Sequence, residues 1–299
     1  MLGPTVVTIG TFDGVHLGHQ KIIKRLVAEA KSRQLESVVL TFFPHPRMVL
    51  QKDANIKLIN TIEEKEAILK SFGLSKLVVN PFTKAFSRLT AEEFVEQILV
   101  QQLQAKHVII GYDHHFGRNR NANIDDLKKF GEVYNFTVEE ISAQDVDDVA
   151  VSSTKIRTAL QEGDIETANT FLNYKFMLSG IVVKGKGIGK TINYPTANLQ
   201  IEEDYKLIPK NGVYIVKSTI NNNEVYGMMN IGFNPTVNGQ HKTIEVHFLN
   251  FKDDLYNKSL QVELIKRIRN EIKFNTLSDL KAQIAIDQKF TLDFINNVK

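Results

Sequence analysis

Apolar positions in the first half of the chain follow two alternating periods. Val6-Val7-Thr8-Ile9, Ser37 to Phe42, Lys76 to Val79, Ala105 to Gly111 and Thr137 to Ile141 are short, nearly continuous apolar runs, the pattern of strands buried on both faces. Between them the spacing changes to that of amphipathic helices. Ile22, Ile23, Leu26, Val27 and Ala30 share one helical face. Thr61-Ile62-Glu63-Glu64 and Thr90-Ala91-Glu92-Glu93 are capping boxes, each opening a helix. Gly73 closes the first; the second turns Phe94, Ile98 and Leu99 inward. A further helix is expected around Ile124–Tyr134. Strands alternating with helices predict an α/β unit with a parallel sheet, whose ligands sit beyond the carboxyl ends of the strands.

Helical spacing persists from Ser153 through Gln161, breaks at Gly163-Asp164, and resumes around Ala168 and Leu172. After Lys175 it gives way to strand runs, which puts the expected boundary near 176, with domains 1–175 and 176–299. Phe176–Lys184, Val213–Ile220, Glu224–Ile231, Thr243–Phe248 and Leu260–Ile268 read as strands. Turn signals such as Asn221-Asn222-Asn223 and Asn238-Gly239 separate several of them. The spacing predicts an antiparallel β-barrel. A closing helix begins near Thr276 and would lay Leu280, Ile284, Phe290 and Phe294 on the barrel.

Composition narrows the class. At 299 residues, 42% of them hydrophobic, the chain can fill two cores. The net charge of +3 does not argue for nucleic acid. Without cysteine there is no disulfide, thiolate metal site or cysteine nucleophile. No leader precedes the first strand, and no apolar run approaches the ~20 residues of a membrane helix. The expectation is a soluble, cytoplasmic protein with no membrane or nucleic-acid partner. The sequence does not set its oligomeric state.

Candidate chemistry lies at the predicted strand ends. Gly10-Thr11-Phe12-Asp13-Gly14-Val15-His16-Leu17-Gly18-His19 joins the first strand to the first helix. Its glycines let backbone approach a ligand, the helix start offers unpaired N–H groups, and His16 and His19, three apart, can aim at phosphate oxygens. Read alone, such a pair is more often surface decoration than a site; a metal pair is another reading, but no cysteine completes a thiolate site and the nearest carboxylate, Asp13, sits across a glycine turn. Phe43-Pro44-His45-Pro46-Arg47 follows the second strand, with His45 as a ligand contact or a loop residue held between prolines. Val151 to Arg157 puts Ser153, Thr154 and Arg157 at a helix start, an anion site or simply a cap. In the second half, Gly185-Lys186-Gly187-Ile188-Gly189-Lys190 is a basic glycine loop suited to phosphate or to a plain turn. Thr196 and Asn198 offer neutral oxygens of a kind that bind Mg²⁺ already held by phosphates. Glu245 and His247 share one face of their strand, as ligands or as a solvated edge.

Taken together these segments resemble bacterial FAD synthetases, the bifunctional riboflavin kinase/FMN adenylyltransferase family, across nearly the whole chain. Gly-x-Phe-Asp-Gly followed by His-x-Gly-His resembles the signature of that family's nucleotidyltransferase half. Ser152-Ser153-Thr154-Lys155-Ile156-Arg157 and Gly111 to Gly117 fit two more of its segments. The glycine loop, Pro195-Thr196-Ala197-Asn198, Asn230 to Thr236, Glu245 and Arg267 to Phe274 follow the order of riboflavin kinase.

The resemblance implies a Rossmann-like nucleotidyltransferase domain followed by a barrel-shaped flavokinase domain. Its substrates would be ATP, riboflavin and FMN, with Mg²⁺ held at Thr196 and Asn198. It implies catalysis by His16 and His19 in one half and Glu245 in the other. Nucleotide contacts would come from Thr11, Phe12, Asp13, Gly14, Ser153, Thr154 and Arg157, and from Gly185, Gly187, Gly189 and Lys190. Flavin contacts would come from His45, Asp113, Arg269 and Glu271. The chain departs from the family at His114 for Phe, Lys190 for Arg, Asn193-Tyr194 for Gly-Phe, and Asn257 for Gly. Those departures leave a second reading, one working half beside a flavin-binding module. A flavin-sensing regulator that binds nucleic acid is a third, opposed by the small net charge.

Overall fold

The structure, a computed structural model, describes residues 3–51, 55–112, 114–142, 151–185, 187–236 and 239–298. Asp113, Lys186 and Asn238 lie outside them. Two compact units divide the chain, Met1–Ser153 and Thr154–Lys299.

The first unit is a five-stranded sheet in the order β3-β2-β1-β4-β5, parallel throughout. Its strands are β1 (Thr5–Ile9), β2 (Glu36–Phe43), β3 (Lys76–Pro81), β4 (Ala105–Gly111) and β5 (Thr137–Ile141). Every residue of the central β1 is buried, as its apolar run required. Helix α1 (Leu17–Ser32) turns Ile23, Leu26 and Ala30 inward. Both capping boxes form. Thr61 caps α3 (Ile62–Ser71), which follows the short α2 (Pro46–Leu50), and Thr90 caps α4 (Ala91–Phe94). The latter runs on as a π-helix over Val95–Gln102, which the sequence spacing did not foretell. Asn123 caps α5 (Ile124–Tyr134) with a third box. The core gathers Val7, Val38, Leu40, Leu99, Val108 and Ile110.

The second unit opens with α6 (Ser153–Glu162) from its second residue onward, then α7 (Ile165–Leu172). The shift to strands near 176 therefore marks a change of secondary structure some twenty residues after the compact units divide. Six strands close into a barrel in the order β10-β7-β6-β11-β8-β9. They are β6 (Met177–Val183), β7 (Ala197–Gln200), β8 (Gly212–Ile220), β9 (Asn223–Thr236), β10 (Gly239–Phe248) and β11 (Ser259–Arg269). The sequence reading missed β7, a four-residue strand too short to show a period. A one-turn helix, α8 (Ile188–Thr191), occupies the glycine loop. On β11, buried Leu260, Val262 and Leu264 alternate with outward residues, the two-residue period of a strand with one face inside.

The closing helix, α9 (Leu277–Val298), lays Ile284 on the barrel as expected but turns Phe290 outward. Phe290 is exposed, while Asp287, Thr291 and Ile295 are buried. The reason is electrostatic. Arg269 at the end of β11 grips Asp287 with two nitrogens at 2.7 and 2.9 Å, and that pair sets the helix's rotation.

The cap of α3 gives a direct test of local folding. Thr61 is buried and accepts the Glu64 N–H at 3.1 Å. Thr61→Ala is expected to destabilise the N-terminal unit by about 1 kcal/mol, read from its denaturant unfolding transition.

Candidate functional site

The turn between β1 and α1 is tightly constrained. Phe12, Gly14 and Val15 all have positive φ, at 44°, 86° and 37°. Glycine adopts this freely, but a β-branched valine does not. The turn is held by side chains from elsewhere in the unit. Asp13, buried, accepts the Ile59 N–H at 2.9 Å. Lys65 donates to the Thr11 carbonyl at 2.7 Å and Thr41 to the same oxygen at 3.2 Å. Ser153 donates to the Asp13 carbonyl at 2.8 Å, and Gln20 to that of Val15 at 2.8 Å.

The turn delivers His16 to the N-cap of α1, where its side chain makes no capping bond. The first-turn N–H groups of a helix have no intrahelical acceptor, so this end of α1 is suited to an anion. The two imidazoles stack, with ring centroids 3.6 Å apart and planes 20° from parallel. Phe12 meets His19 edge-on at 5.1 Å. Both Nδ1 atoms are sealed from solvent with no hydrogen-bond partner. Burial lowers the His16 pKa to about 4, against a partial lift from Asp13. His19 also lies well below its ordinary value, through burial first and then the charges of His16 and Lys65. Both rings are therefore neutral at pH 7 in the free protein.

His45 and His114 sit at the same sheet edge. His45 follows β2 and caps α2, its Nδ1 accepting the Arg47 N–H at 3.2 Å. His114 stacks on Phe116 after β4, with centroids 6.3 Å apart. Thr154 and Arg157 follow Ser153 in α6 and belong to the second unit. The sequence reading missed Lys65, hidden within a capped helix, and a run of aromatic contacts. Phe42, Phe82, Phe86, Phe94 and Phe116 meet in succession at centroid distances of 5.5 to 6.1 Å. The positions of Phe42, Phe82 and Phe116 near predicted strand ends were the signal available.

In the second unit the barrel register assembles the site. Glu245 on β10 lies opposite Asn198 on β7 and Asn230 on β9. Directly opposed residues of antiparallel strands share a face, so the three side chains line one surface. Thr196 donates to the Glu245 carboxylate at 3.1 Å. A side chain at Gly185 would collide with that of Asn198, so the glycine loop lies directly on this cluster. The donor set, two neutral oxygens beside a carboxylate, fits a hard divalent cation. A cavity of about 300 Å³ adjoins it, lined by Lys190, Thr196, Val246, Phe248, Leu255 and Tyr256. Lys190 Nζ lies 5.5 Å from the Tyr256 ring centroid.

Two departures from the family pattern have a backbone explanation. Asn193 and Asn257 have φ of 68° and 60°, the left-handed region that asparagine tolerates best after glycine. Tyr194, in place of phenylalanine, uses its hydroxyl to reach Gln288 on α9 at 3.2 Å. Arg269 is engaged with Asp287. Glu271 accepts from Asn211 at 3.1 Å and from the Phe233 N–H at 3.2 Å. Both flavin candidates of the tail thus have protein partners here.

One further group has metal-ligand chemistry among the described residues, Glu29, His107 and Glu139. Arg25 pairs with both carboxylates, at 2.8 and 2.7 Å, and Arg33 with Glu29 at 3.1 Å. It is an ion-pair network.

Comparison with known proteins agrees with this division. The family model described as FAD synthetase matches residues 2–155, and that described as riboflavin kinase matches 172–295. A bifunctional riboflavin kinase/FMN adenylyltransferase of Buchnera aphidicola is 39% identical, with 98% of this chain and 94% of that protein covered. Its counterpart in Listeria monocytogenes is 38% identical, with 97% and 92% covered. A solved structure described as a macrolide-efflux protein from Streptococcus pneumoniae has a TM-score of 0.86 at 31% identity, covering 97% of this chain and 94% of that one. Efflux is said of that protein; among the described residues here, no helix is long and apolar enough to cross a membrane.

The buried rings give a pH test. A histidine whose folded pKa is depressed contributes full stability above its unfolded value of 6.5 and loses it as pH falls toward about 4. The unfolding midpoint of the N-terminal unit should fall more steeply between these limits in the wild type than in His16→Asn.

Proposed function

The chain belongs to the bifunctional riboflavin kinase/FMN adenylyltransferase family, and from that premise we propose how its two units divide the work. It is an enzyme of FAD biosynthesis. ATP phosphorylates riboflavin to FMN, and adenylyl transfer from ATP to FMN then gives FAD and pyrophosphate.

In the barrel, the 5′-hydroxyl of riboflavin attacks the γ-phosphorus of ATP, and ADP leaves. Glu245 takes the hydroxyl proton. Its contact with Thr196 and its register with Asn198 support this role. Thr196 and Asn198 would hold Mg²⁺, whose charge offsets that of the ATP phosphates when bound. Gly185, Gly187, Gly189 and Lys190 cover the phosphates, and the adjoining cavity takes the nucleotide. Arg269 and Glu271 would border the flavin once their present partners yield. The left-handed backbone at Asn193 and Asn257 supports a working kinase half, because asparagine satisfies the same turns that glycine would.

In the sheet unit, a phosphate oxygen of FMN attacks the α-phosphorus of a second ATP, and pyrophosphate leaves. The single observation that carries this half is the stacked His16 and His19 pair, with partnerless Nδ1 atoms at the start of α1. Both rings are neutral when the site is empty, and an arriving polyphosphate favours their protonation. Their N–H groups then stabilise the charge that builds on the phosphorus oxygens. Thr11, Phe12, Asp13 and Gly14 shape the turn around the nucleotide. Ser153, whose hydroxyl holds the Asp13 carbonyl, would border the leaving phosphates. The row of phenylalanines, with His45, would border the isoalloxazine ring. Positioning and electrostatics suffice, with no covalent enzyme intermediate. This reading places the enzyme in the cytoplasm with its substrates.

The two halves separate by mutation. His16→Ala is expected to slow FAD formation from FMN by ~10²-fold or more while FMN formation continues. Glu245→Gln is expected to slow FMN formation by roughly 10²–10⁴-fold. Chromatographic separation of the flavins after incubation with ATP and Mg²⁺ reads both. Equal loss of both activities in His16→Ala would contradict separate sites, and wild-type FMN formation in Glu245→Gln would remove Glu245 as the base.

A further inference from the structure

Lys65 has no place in the mechanism above, yet the turn rests on it. Its side chain is buried, with 2% of the residue exposed, and its ammonium donates to the Thr11 carbonyl at 2.7 Å. Thr41, in β2, donates to the same oxygen at 3.2 Å. A buried ammonium is costly unless it is paired and hydrogen-bonded. Burial pulls the Lys65 pKa down, and the nearby Asp13 carboxylate pushes it partly back. An apolar residue would fill this position in α3 without that cost. The lysine's hydrogen bond goes to the site turn, rather than to its own helix.

The contact has a backbone consequence. A trans peptide points its C=O and N–H in opposite directions. With the Thr11 oxygen drawn toward Lys65 and Thr41, the Phe12 N–H of the same peptide faces away from them. This orientation leads into the positive φ of Phe12 and Gly14 and so into the placement of His16. The same charge also acts on His19.

We propose that Lys65 is a positioning residue for adenylyl transfer: its ammonium fixes the Thr11–Phe12 peptide in the orientation that presents the turn and its two imidazoles to the nucleotide. The proposal rests on the reading of this unit as the adenylyl-transfer site.

The test uses the full chain and two variants, Lys65→Met and Thr41→Val, assayed for FAD formation from supplied FMN and for FMN formation from riboflavin. Lys65→Met should lower kcat for FAD formation by ~10²-fold, the scale of a misplaced catalytic geometry, with FMN formation at the wild-type rate. Thr41→Val, nearly the same shape, should lower kcat in the same direction by a smaller factor. The double variant should lose less than the product of the two, because both act through one oxygen. A lower unfolding midpoint with unchanged kcat at saturating substrates would mean a purely structural lysine and would overturn the proposal. Should Lys65→Met fail to fold, wild-type kcat in Thr41→Val overturns it equally. Absence of FAD formation in the wild type would instead defeat the underlying functional reading.

Discussion

The first unit depends on a turn that its own sequence does not favour. Val15, fully buried, holds a φ of 37°, a conformation that costs a β-branched residue on the order of 1–3 kcal/mol. The turn persists because groups distant in sequence hold it. Ile59 holds the Asp13 carboxylate, Lys65 and Thr41 hold the Thr11 carbonyl, and Ser153 holds the Asp13 carbonyl. The result is a helix start whose first residue is a histidine rather than a capping serine, and a second histidine stacked upon it. No side-chain cap closes the start of α1.

The barrel reaches a comparable result by register. A strand of four residues, β7, sets Asn198 opposite Glu245, and the residue just before it, Thr196, reaches the same carboxylate. A one-residue slip would turn every one of these side chains to the other face. The Arg269–Asp287 pair fixes α9 on the barrel, and Tyr194 ties the loop before β7 to that helix. The flavin candidates in the tail and the loop that leads to the metal candidates Thr196 and Asn198 are therefore linked through one helix.

What the sequence made legible follows from the reach of each signal. The buried strands, the helices and two capping boxes are local patterns, and they appear where periodicity put them. His16, His19, Thr196, Asn198 and Glu245 stood out as candidates because their neighbours form ordered motifs. Lys65 was not, because a lysine between two glutamates in a capped helix reads as a solvated surface. Only the tertiary approach of α3 to the turn reveals it. Asn230 was read as part of a motif but not as a site residue, since its place opposite Glu245 is defined by strand pairing. The closing helix misled because its aromatic stripe was weighed above Asp287, whose burial depends on an arginine eighteen residues earlier.

The account turns on the claim that the β1–α1 turn receives the ATP phosphates at His16 and His19. The imidazole resonances of these two residues, followed by NMR through a pH titration with and without a non-hydrolysable ATP analogue, test it most directly. In the free protein the rings should stay neutral as pH falls toward 4. With the analogue bound, both should protonate at distinctly higher pH. Titration curves that do not move while the analogue is bound would contradict the account.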